Sequence, residues 1–365
     1  KRREDRFERL DLLLANLMAV YEAHSDEPLP EVTAEAFAAL DYNNRGVTFA
    51  NLDQQARAIA DYDEAIRLDP TYAHAYSNRG TSYSDLGQHD RAIRDYHAAI
   101  RLDPKLAQAY SNRGTIYADL GQRERAIADY DAAIRLDPTY AQAYYNRGNS
   151  YGDLGQHERA IADYTEVIRL DPNFAQAYYN RGNSYVKLGQ HERAIADYTE
   201  VIRLDSNFAQ AYYNRGISYG DLGEHERAIA DYTEVIRLDP HSALAYYNRS
   251  ISYADLGQHE RAIADYTEVI RLDPHSALAY YNRGISYADL GQHERAIADY
   301  DAAIRLDPNH AEAYSNRGVS YAGLGQHERA IADYSAAIRL DPTHARAYSN
   351  RGNSYSALGQ HERAI

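Results

Sequence analysis

A block of 34 residues repeats along most of this 365-residue chain. A proline and a glycine mark it most clearly, and each recurs at that step. The prolines are Pro70, Pro104, Pro138, Pro172, Pro240, Pro274, Pro308 and Pro342, with Ser206 where the missing one is expected. The glycines are Gly87, Gly121, Gly155, Gly189, Gly223, Gly257, Gly291, Gly325 and Gly359. Such a period indicates stacked supersecondary units rather than one closed globule, so we expect functional residues to be spread over a shared surface.

The composition and net charge of the chain exclude several classes of function. Lys and Arg total 39 against 54 Asp and Glu, a net charge of -15, and nucleic-acid binding requires a basic face instead. The chain has no Cys, which excludes disulfides, thiolate metal sites and Cys nucleophiles and fits a cytoplasmic protein. The longest apolar run, residues 10–21, is too short to span a membrane. We therefore expect a cytoplasmic protein that binds neither nucleic acid nor a membrane.

Three segments are predicted along the chain. Residues 1–24 are predicted to form an amphipathic helix, because apolar residues recur there at steps of three and four. This helix either caps the array or ends a preceding domain. Residues 25–34 contain two prolines and are predicted to be a linker. Residues 35–365 hold nine complete units and a truncated tenth, from which we expect the chain to be a fragment of a longer protein.

Each unit is predicted to contain two helices, A and B. Unit 2 illustrates this: helix A covers residues 73–86 and stops at Gly87, because Gly tolerates a left-handed conformation. Helix B covers residues 90–103 and stops before Pro104. We count positions within a unit from its first Ala. The units begin at Ala39, Ala73, Ala107, Ala141, Ala175, Ala209, Ala243, Ala277, Ala311 and Ala345.

The residues at these positions resemble the tetratricopeptide repeat family. In unit 2 the matching residues are Tyr76, Gly80, Tyr83, Gly87, Ala92, Tyr96, Ala99 and Pro104. The pattern covers residues 35–365, with Asp53 replacing the turn Gly, Ser250 the close-packing Gly and Ser206 the Pro. Arg79 and its equivalents stand where the family usually has Leu. The resemblance implies an all-α fold, a right-handed superhelical solenoid of antiparallel helix pairs, with a concave groove lined mainly by helix A.

Two Gly-x-Ser-x-Gly matches occur, at residues 148–152 and 216–220. A serine nucleophile in this motif needs a sharp strand-to-helix turn, whereas both matches fall inside helix A. We interpret them as accidents of the repeat and expect a non-enzymatic protein without catalytic residues or cofactors.

Histidine recurs at position 17, just before the acidic start of helix B. These residues are His89, His157, His191, His225, His259, His293, His327 and His361. A metal site needs several ligands within a few ångströms of one ion, and copies a whole unit apart cannot converge in this way. We expect solvated turn residues and no metal site.

Arginine at position 7 and aspartate at position 23 also recur, as Arg79 and Asp95 illustrate. We expect them to form structural pairs within or between units. The alternative is that these arginines face the groove and bind a ligand.

The groove floor is predicted to comprise positions 2, 5, 6, 9 and 13. Position 6 is Asn in every unit, and an amide both donates and accepts hydrogen bonds. In peptide-binding members of the family an Asn here holds the ligand main chain; the alternative, that it only stabilises neighbouring helices, stays open. The basic residues that carboxylate-binding members need are missing apart from Arg346. The candidates for main-chain binding are Asn146, Asn180, Asn214, Asn248 and Asn282.

The groove changes from polar to apolar along the chain. Position 9 is Thr in units 2 and 3, Asn in units 4 and 5, and Ile or Val in units 6 to 9. We define the apolar strip as Tyr213, Ile217, Leu244, Tyr247, Ile251, Leu278, Tyr281, Ile285 and Val319. An exposed apolar surface that contains tyrosines is typical of a binding site. The alternative is recent duplication, which explains why units 7 and 8 are nearly identical but not why their apolar residues are exposed. Aspartates at position 13 favour a neutral or basic peptide.

The sequence therefore predicts a non-enzymatic protein-interaction scaffold that holds a peptide segment of a partner protein in its groove. The alternative is a regulatory or substrate-docking arm of a larger enzyme or signalling protein. We expect a monomer or weak end-to-end self-association, because a terminal unit exposes a packing face.

Overall fold

The computed structural model of the chain describes residues 34–364, in which there are nineteen α-helices and no strand. The predicted helix of residues 1–24 and the linker before Ala34 lie outside the described residues. The helices are α1 (Ala34–Asn51), α2 (Gln55–Leu68), α3 (Ala73–Asp85), α4 (His89–Leu102), α5 (Ala107–Asp119), α6 (Arg123–Leu136), α7 (Ala141–Asp153), α8 (His157–Leu170), α9 (Ala175–Lys187), α10 (His191–Leu204), α11 (Ala209–Asp221), α12 (His225–Leu238), α13 (Ala243–Asp255), α14 (His259–Leu272), α15 (Ala277–Asp289), α16 (His293–Leu306), α17 (Ala311–Gly323), α18 (His327–Leu340) and α19 (Ala345–Ala357).

The helices alternate as predicted, with odd numbers for helix A and even numbers for helix B. They divide into two compact blocks, the first ending at Ala177 and the second starting at Tyr178. Consecutive helices pack against each other from α1 to α8 in the first block and from α10 to α19 in the second. The chain is thus an all-α helical repeat. No helix within residues 34–364 combines the length and apolar content needed to cross a membrane.

The turn between helices A and B depends on a left-handed residue at position 15. Gly87 has φ +69°, and the amide of Gln88 donates to the carbonyl of Tyr83 at 2.8 Å, which closes the end of α3. In unit 1 Asp53 takes the same role with φ +58°, a conformation that Asp tolerates better than most residues. The substitution of Gly by Asp53 therefore leaves the turn intact.

Helix B ends at an aspartate that forms a turn with or without the following proline. Asp103 is extended, with φ -129° and ψ 94°, as the residue before Pro104 must be. In unit 5 the proline is replaced by Ser206, yet Asp205 keeps φ -139° and ψ 99°. Its carboxylate accepts from the amide of Asn207 at 3.0 Å, and the same Asx turn forms where the proline is present, since the amide of Lys105 donates to Asp103 at 2.9 Å.

The core of units 1 to 6, 8 and 9 is a tyrosine packed on a glycine. Tyr96 is buried among Ala92 and Ala99, and a Cβ built on Gly80 would lie 3.0 Å from its ring. Unit 7 has Ser250 at this position. The serine is buried and donates to the Tyr247 carbonyl at 2.6 Å, and Tyr266 beside it stays buried.

The predicted Arg–Asp pairs within units are confirmed in units 1 to 9. Each arginine at position 7 uses Nε and Nη2 to bind both oxygens of the aspartate at position 23, as Arg249 does with Asp265 at 2.7 and 2.8 Å. In units 2, 4 and 6 to 9 Nη1 also bonds the residue at position 25 of the preceding unit, for example Thr233 at 3.0 Å. In Arg147 burial lowers the pKa, but hydrogen bonds and charge from Asp163 and Asp131 more than offset it, so the pKa lies above its usual value.

Candidate peptide-binding groove

Helix A presents positions 2, 5, 6, 9 and 13 on one face, because residues three or four apart lie above one another on a helix. On α13 these positions are Leu244, Tyr247, Asn248, Ile251 and Asp255. The groove is therefore built from rows that run across successive A helices. We call them the outer row (position 2), the Tyr–Asn row (positions 5 and 6), the Ile row (position 9) and the Asp row (position 13).

The apolar strip lies on α11, α13, α15 and α17 of the second block, and its most exposed members are two leucines. Leu244 is 65% exposed and Leu278 55% exposed. The other members are half-buried, namely Tyr213, Ile217, Tyr247, Ile251, Tyr281, Ile285 and Val319. The exposed apolar surface is thus concentrated in the outer row, while the tyrosines and isoleucines form a less accessible floor.

The Tyr–Asn row is held together by hydrogen bonds between successive A helices. Asn248 Nδ2 donates to the Tyr213 hydroxyl at 2.9 Å, and Asn282 Nδ2 donates to Tyr247 at 3.0 Å. Asn214 bonds the Tyr179 hydroxyl at 3.1 Å in the same way. Because each hydroxyl accepts in this bond, its own hydrogen points elsewhere. The asparagines therefore link neighbouring helices, one of the two roles that the sequence left open.

Asn146, one of the two remaining candidates, bonds different partners. Asn146 Nδ2 donates to Thr115 Oγ1 at 3.3 Å, while its Oδ1 accepts from Gln142 at 2.8 Å. Asn180 is half-buried on α9. The partner of the Asn thus depends on whether the preceding unit supplies Tyr at position 5 or Thr at position 9.

The strip tyrosines pack against the tyrosine of helix B. Tyr247 and Tyr266 have ring centroids 6.0 Å apart, as do Tyr213 and Tyr232. Burial raises the pKa of Tyr266 to about 12. Burial also raises the pKa of Tyr247, although the Asn282 hydrogen bond acts in the opposite direction. Both hydroxyls are therefore protonated near neutral pH and can donate a hydrogen bond.

A second contact of these tyrosines was missed by the sequence reasoning and involves position 34. Phe174 lies 5.0 Å from Tyr145 and His310 lies 4.5 Å from Tyr281, measured between ring centroids. Units 6 and 7 have serine there, Ser242 and Ser276. A comparison of position 34 across the units could have drawn attention to this difference.

The Asp row is exposed and lies beside the recurring histidines. Asp221 and Asp255 each keep about half of their side chain exposed, 51% and 50%. His191 Nδ1 lies 3.6 Å from Asp221, and His225 Nδ1 lies 3.7 Å from Asp255. These histidines are the first residues of helix B and are half-buried. The expectation of solvated turn residues is therefore wrong for these two histidines, because an aspartate of the next unit lies beside each, whereas His361 is exposed. Within residues 34–364 no group of three or more potential ligands could hold a metal ion.

The Gly-x-Ser-x-Gly serines lie inside helix A, as predicted. Ser150 and Ser218 are buried, and their hydroxyls donate to the carbonyls of Asn146 and Asn214 at 3.0 Å in both cases. A serine bonded to its own helix backbone is not held on the exposed turn that this motif requires for catalysis.

Family sequence profiles match nearly all of the described repeat. A profile described as TPR repeat matches in overlapping segments over residues 46–223, and profiles described as tetratricopeptide repeat match residues 213–345 and 334–365. The chain belongs to the tetratricopeptide repeat family. A comparison with curated proteins finds no match.

The chain is also similar to solved structures of other repeat proteins. The C-terminal part of a TPR repeat-containing protein from Cytophaga hutchinsonii is 19% identical, with a TM-score of 0.57 over 66% of this chain and 98% of that one. YrrB, described as a TPR protein with an unusual peptide-binding site, is 28% identical over 50% of this chain and 95% of that one, with a TM-score of 0.47. MamA from Desulfovibrio magneticus RS-1 is 24% identical over 47% of this chain and 97% of that one, with a TM-score of 0.45.

Proposed function

We propose that the protein is a non-enzymatic interaction scaffold whose apolar strip anchors a peptide segment of a partner protein. The observation that carries the proposal is the exposure of Leu244 and Leu278, at 65% and 55%, on consecutive A helices. Burying two such side chains in an interface favours association, since an exposed apolar side chain gains about 25 cal/mol for each Å² removed from water. Contiguous exposed apolar patches, unlike single exposed apolar residues, often mark interaction sites.

The Tyr–Asn row suits the main chain of such a segment. The Tyr213 hydroxyl accepts from Asn248, which directs its own hydrogen away from that amide. The Asn248 amide uses its nitrogen in this bond, so its oxygen is the group that suits a peptide N–H. One Tyr–Asn pair thus offers a donor and an acceptor, which are the two groups a peptide bond needs. This row supports an extended segment that lies across the helices.

The charge of the groove favours a neutral or basic segment. Asp221, Asp255 and Asp289 lie one turn beyond the Ile row, and each keeps about half of its side chain exposed. The chain as a whole carries a net charge of -15. Complementary charge speeds encounter and rejects partners of like charge, so Lys or Arg beside the apolar anchors would favour binding.

The test replaces the strip by residues that the chain already carries at equivalent positions. The variant L244Q/I251N/L278Q/I285N gives units 7 and 8 the outer-row Gln and the position-9 Asn of unit 5, Gln176 and Asn183. Peptides selected from a random display library on the wild-type protein are expected to lose at least tenfold in affinity for this variant. The physical reason is loss of the apolar surface, while circular dichroism should show unchanged helicity.

A matched control changes the polar part of the groove in the same way. T81N/T115N gives units 2 and 3 the Asn that unit 4 has at position 9, where Asn149 accepts from the Tyr164 hydroxyl at 2.8 Å. The selected peptides should bind this control like the wild type. Peptides that bind the strip variant equally well, or a library that yields no binder, would contradict the proposal.

A further inference from the structure

Position 34 determines whether the outer face of a groove tyrosine is covered by a second ring. In unit 4 Phe174 covers Tyr145 at 5.0 Å, and in unit 5 Phe208 covers Tyr179 at 5.1 Å. In unit 8 His310 covers Tyr281 at 4.5 Å. These three contacts share one arrangement, with interplanar angles of 44°, 41° and 39°. The chain therefore repeatedly places a tilted ring on the tyrosine of position 5.

Units 6 and 7 keep the tyrosine and lack the ring. Ser242 stands where a ring would cover Tyr213, and Ser276 stands where one would cover Tyr247. Each serine is followed two residues later by a leucine of the outer row, and Leu244 is 65% exposed. Leu278 is 55% exposed. We call these two places the ring notches.

We propose that each ring notch takes an aromatic side chain from the partner segment, in the place that Phe174, Phe208 and His310 fill in the sister units. This inference rests on the proposed function and specifies the chemistry of the partner. The tyrosine face is already positioned by its hydroxyl bond to the next unit, Tyr213 to Asn248 and Tyr247 to Asn282. Tilted aromatic pairs at this separation are favourable beyond the area that they bury.

The two notches lie on consecutive units, which sets the spacing of the aromatic residues. Neighbouring packed helices lie roughly 8–10 Å apart. A polyproline II segment rises about 3.1 Å per residue with three residues per turn, so side chains three residues apart share one face about 9 Å apart. The partner segment therefore carries two aromatic residues three positions apart. Because Asp221, Asp255 and Asp289 are exposed nearby on the same helices, Lys or Arg flanks the aromatic pair.

The test variant S242F/S276F places one of the protein's own rings in each notch, since it copies the residue that unit 5 has at Phe208. The control S242A/S276A leaves the notches open, and both variants keep the leucines and isoleucines of the strip. The probe is the synthetic peptide acetyl-Lys-Phe-Pro-Pro-Phe-Lys-amide. Companion peptides replace both Phe by Leu or by Ala, or both Lys by Glu, and dissociation constants are measured by fluorescence polarisation.

The wild type and S242A/S276A are expected to bind the Phe peptide at least tenfold more tightly than the Ala peptide. The Leu peptide and the Glu peptide should both be weaker than the Phe peptide. The filled variant S242F/S276F should lose at least tenfold for the Phe peptide at unchanged helicity. If it does not fold, S242H/S276H, which copies His310, serves the same purpose.

Two results would contradict the ring-notch proposal. One is that S242F/S276F binds the Phe peptide as tightly as the wild type does, or that the wild type binds the Leu peptide as tightly as the Phe peptide. The apolar strip would then remain a binding surface that does not recognise aromatic rings. The other is a wild-type protein that does not distinguish the Phe peptide from the Ala peptide. The strip variant L244Q/I251N/L278Q/I285N separates these failures from a failure of the proposed function, because it removes the strip and retains both serines.

Discussion

The groove of units 2 and 3 and the groove of units 6 to 8 rest on the same framework and differ in surface chemistry. In units 2 and 3 position 5 is a buried serine, Ser77 or Ser111. Thr81 at position 9 lies 3.1 Å from the Tyr96 hydroxyl, within hydrogen-bond distance. In units 6 to 8 position 5 is Tyr and position 9 is Ile. The first region thus satisfies its polar groups internally, whereas the second turns apolar side chains and a tyrosine hydroxyl toward the groove.

The comparison separates stability from recognition. Both regions keep the bidentate Arg–Asp pair, as Arg113 with Asp129 shows for the first region. Both also keep the Gly–Tyr contact, as Gly114 with Tyr130 shows, except in unit 7 where Ser250 replaces the Gly.

The framework tyrosine stays buried although the groove residue beside it differs, since Thr81 lies 3.1 Å from the Tyr96 hydroxyl and Tyr247 packs on the Tyr266 ring. Groove residues can therefore vary from unit to unit without loss of the fold, which is how one repeat presents different surfaces along its length.

The largest expected effect tests whether the framework is shared. Arg113→Leu and Arg249→Leu each leave a buried carboxylate, Asp129 or Asp265, without its cation. Removing one member of a buried ion pair costs about 3–5 kcal/mol. We expect a loss of that size in both regions, measured by amide hydrogen exchange in α5 and α13, because exchange reports the stability of a local unit.

The double variant R249L/D265L is the control for this prediction. It removes the carboxylate as well as the cation, so most of the lost stability should return. A loss confined to one region, or a double variant as unstable as the single one, would show that the Arg–Asp pairs do not stabilise the two regions alike.

A smaller effect should distinguish the two regions. Asn248 donates to the Tyr213 hydroxyl at 2.9 Å, whereas Asn112 donates to Thr81 Oγ1 at 3.4 Å. A well-formed hydrogen bond contributes about 0.5–1.5 kcal/mol, and a long one contributes less. Asn248→Ala should therefore lower local stability more than Asn112→Ala, by about 1 kcal/mol in the same exchange experiment. The gain in helix propensity from Ala is common to both variants and cancels; equal losses would contradict the ranking.

The sequence predicted the framework well, because the framework depends on local rules. Helix A of unit 2 was predicted at residues 73–86 and is observed at Ala73–Asp85, since the turn before Gly87 already includes Leu86. The apolar strip was predicted by comparing units. The hydrogen-bond partner of Tyr213 was not predictable, because Asn248 lies 35 residues further along the chain and only the packing between units brings the two together.

The burial of the histidines was missed for a related reason. A residue at the start of a helix is predicted to be exposed to solvent when only its own unit is considered. In the structure the following unit lies over it, as Asp221 does beside His191. Ile116 is a further example, because it is buried at a position where units 2 and 4 to 10 carry Ser. The sequence does not show how the neighbouring helix accommodates the larger side chain.

The smallest expected effect depends on pH and concerns the joint between units 2 and 3. The arginines of units 6 to 8 bond a threonine at position 25 of the preceding unit, as Arg249 bonds Thr233. In unit 2 this position is His97. Burial lowers the pKa of His97 from 6.5; Arg113 and Arg125 lower it further, and Asp129 acts in the opposite direction. The folded protein therefore favours neutral His97, so stability should be unaffected above pH 6.5 and should fall as the pH drops below that value.

His97→Thr installs the residue of units 5 to 7 and should remove this loss. The measurement is the local stability of α4 and α5 by hydrogen exchange at pH 7.5 and pH 5, compared between wild type and variant. Other histidines titrate equally in both proteins, so the difference isolates His97. The same pH change should leave the joints of units 6 to 8 alike in the two proteins. If wild type and variant show an identical pH dependence at α4 and α5, the charge of Arg113 does not disfavour protonated His97 and the prediction is wrong.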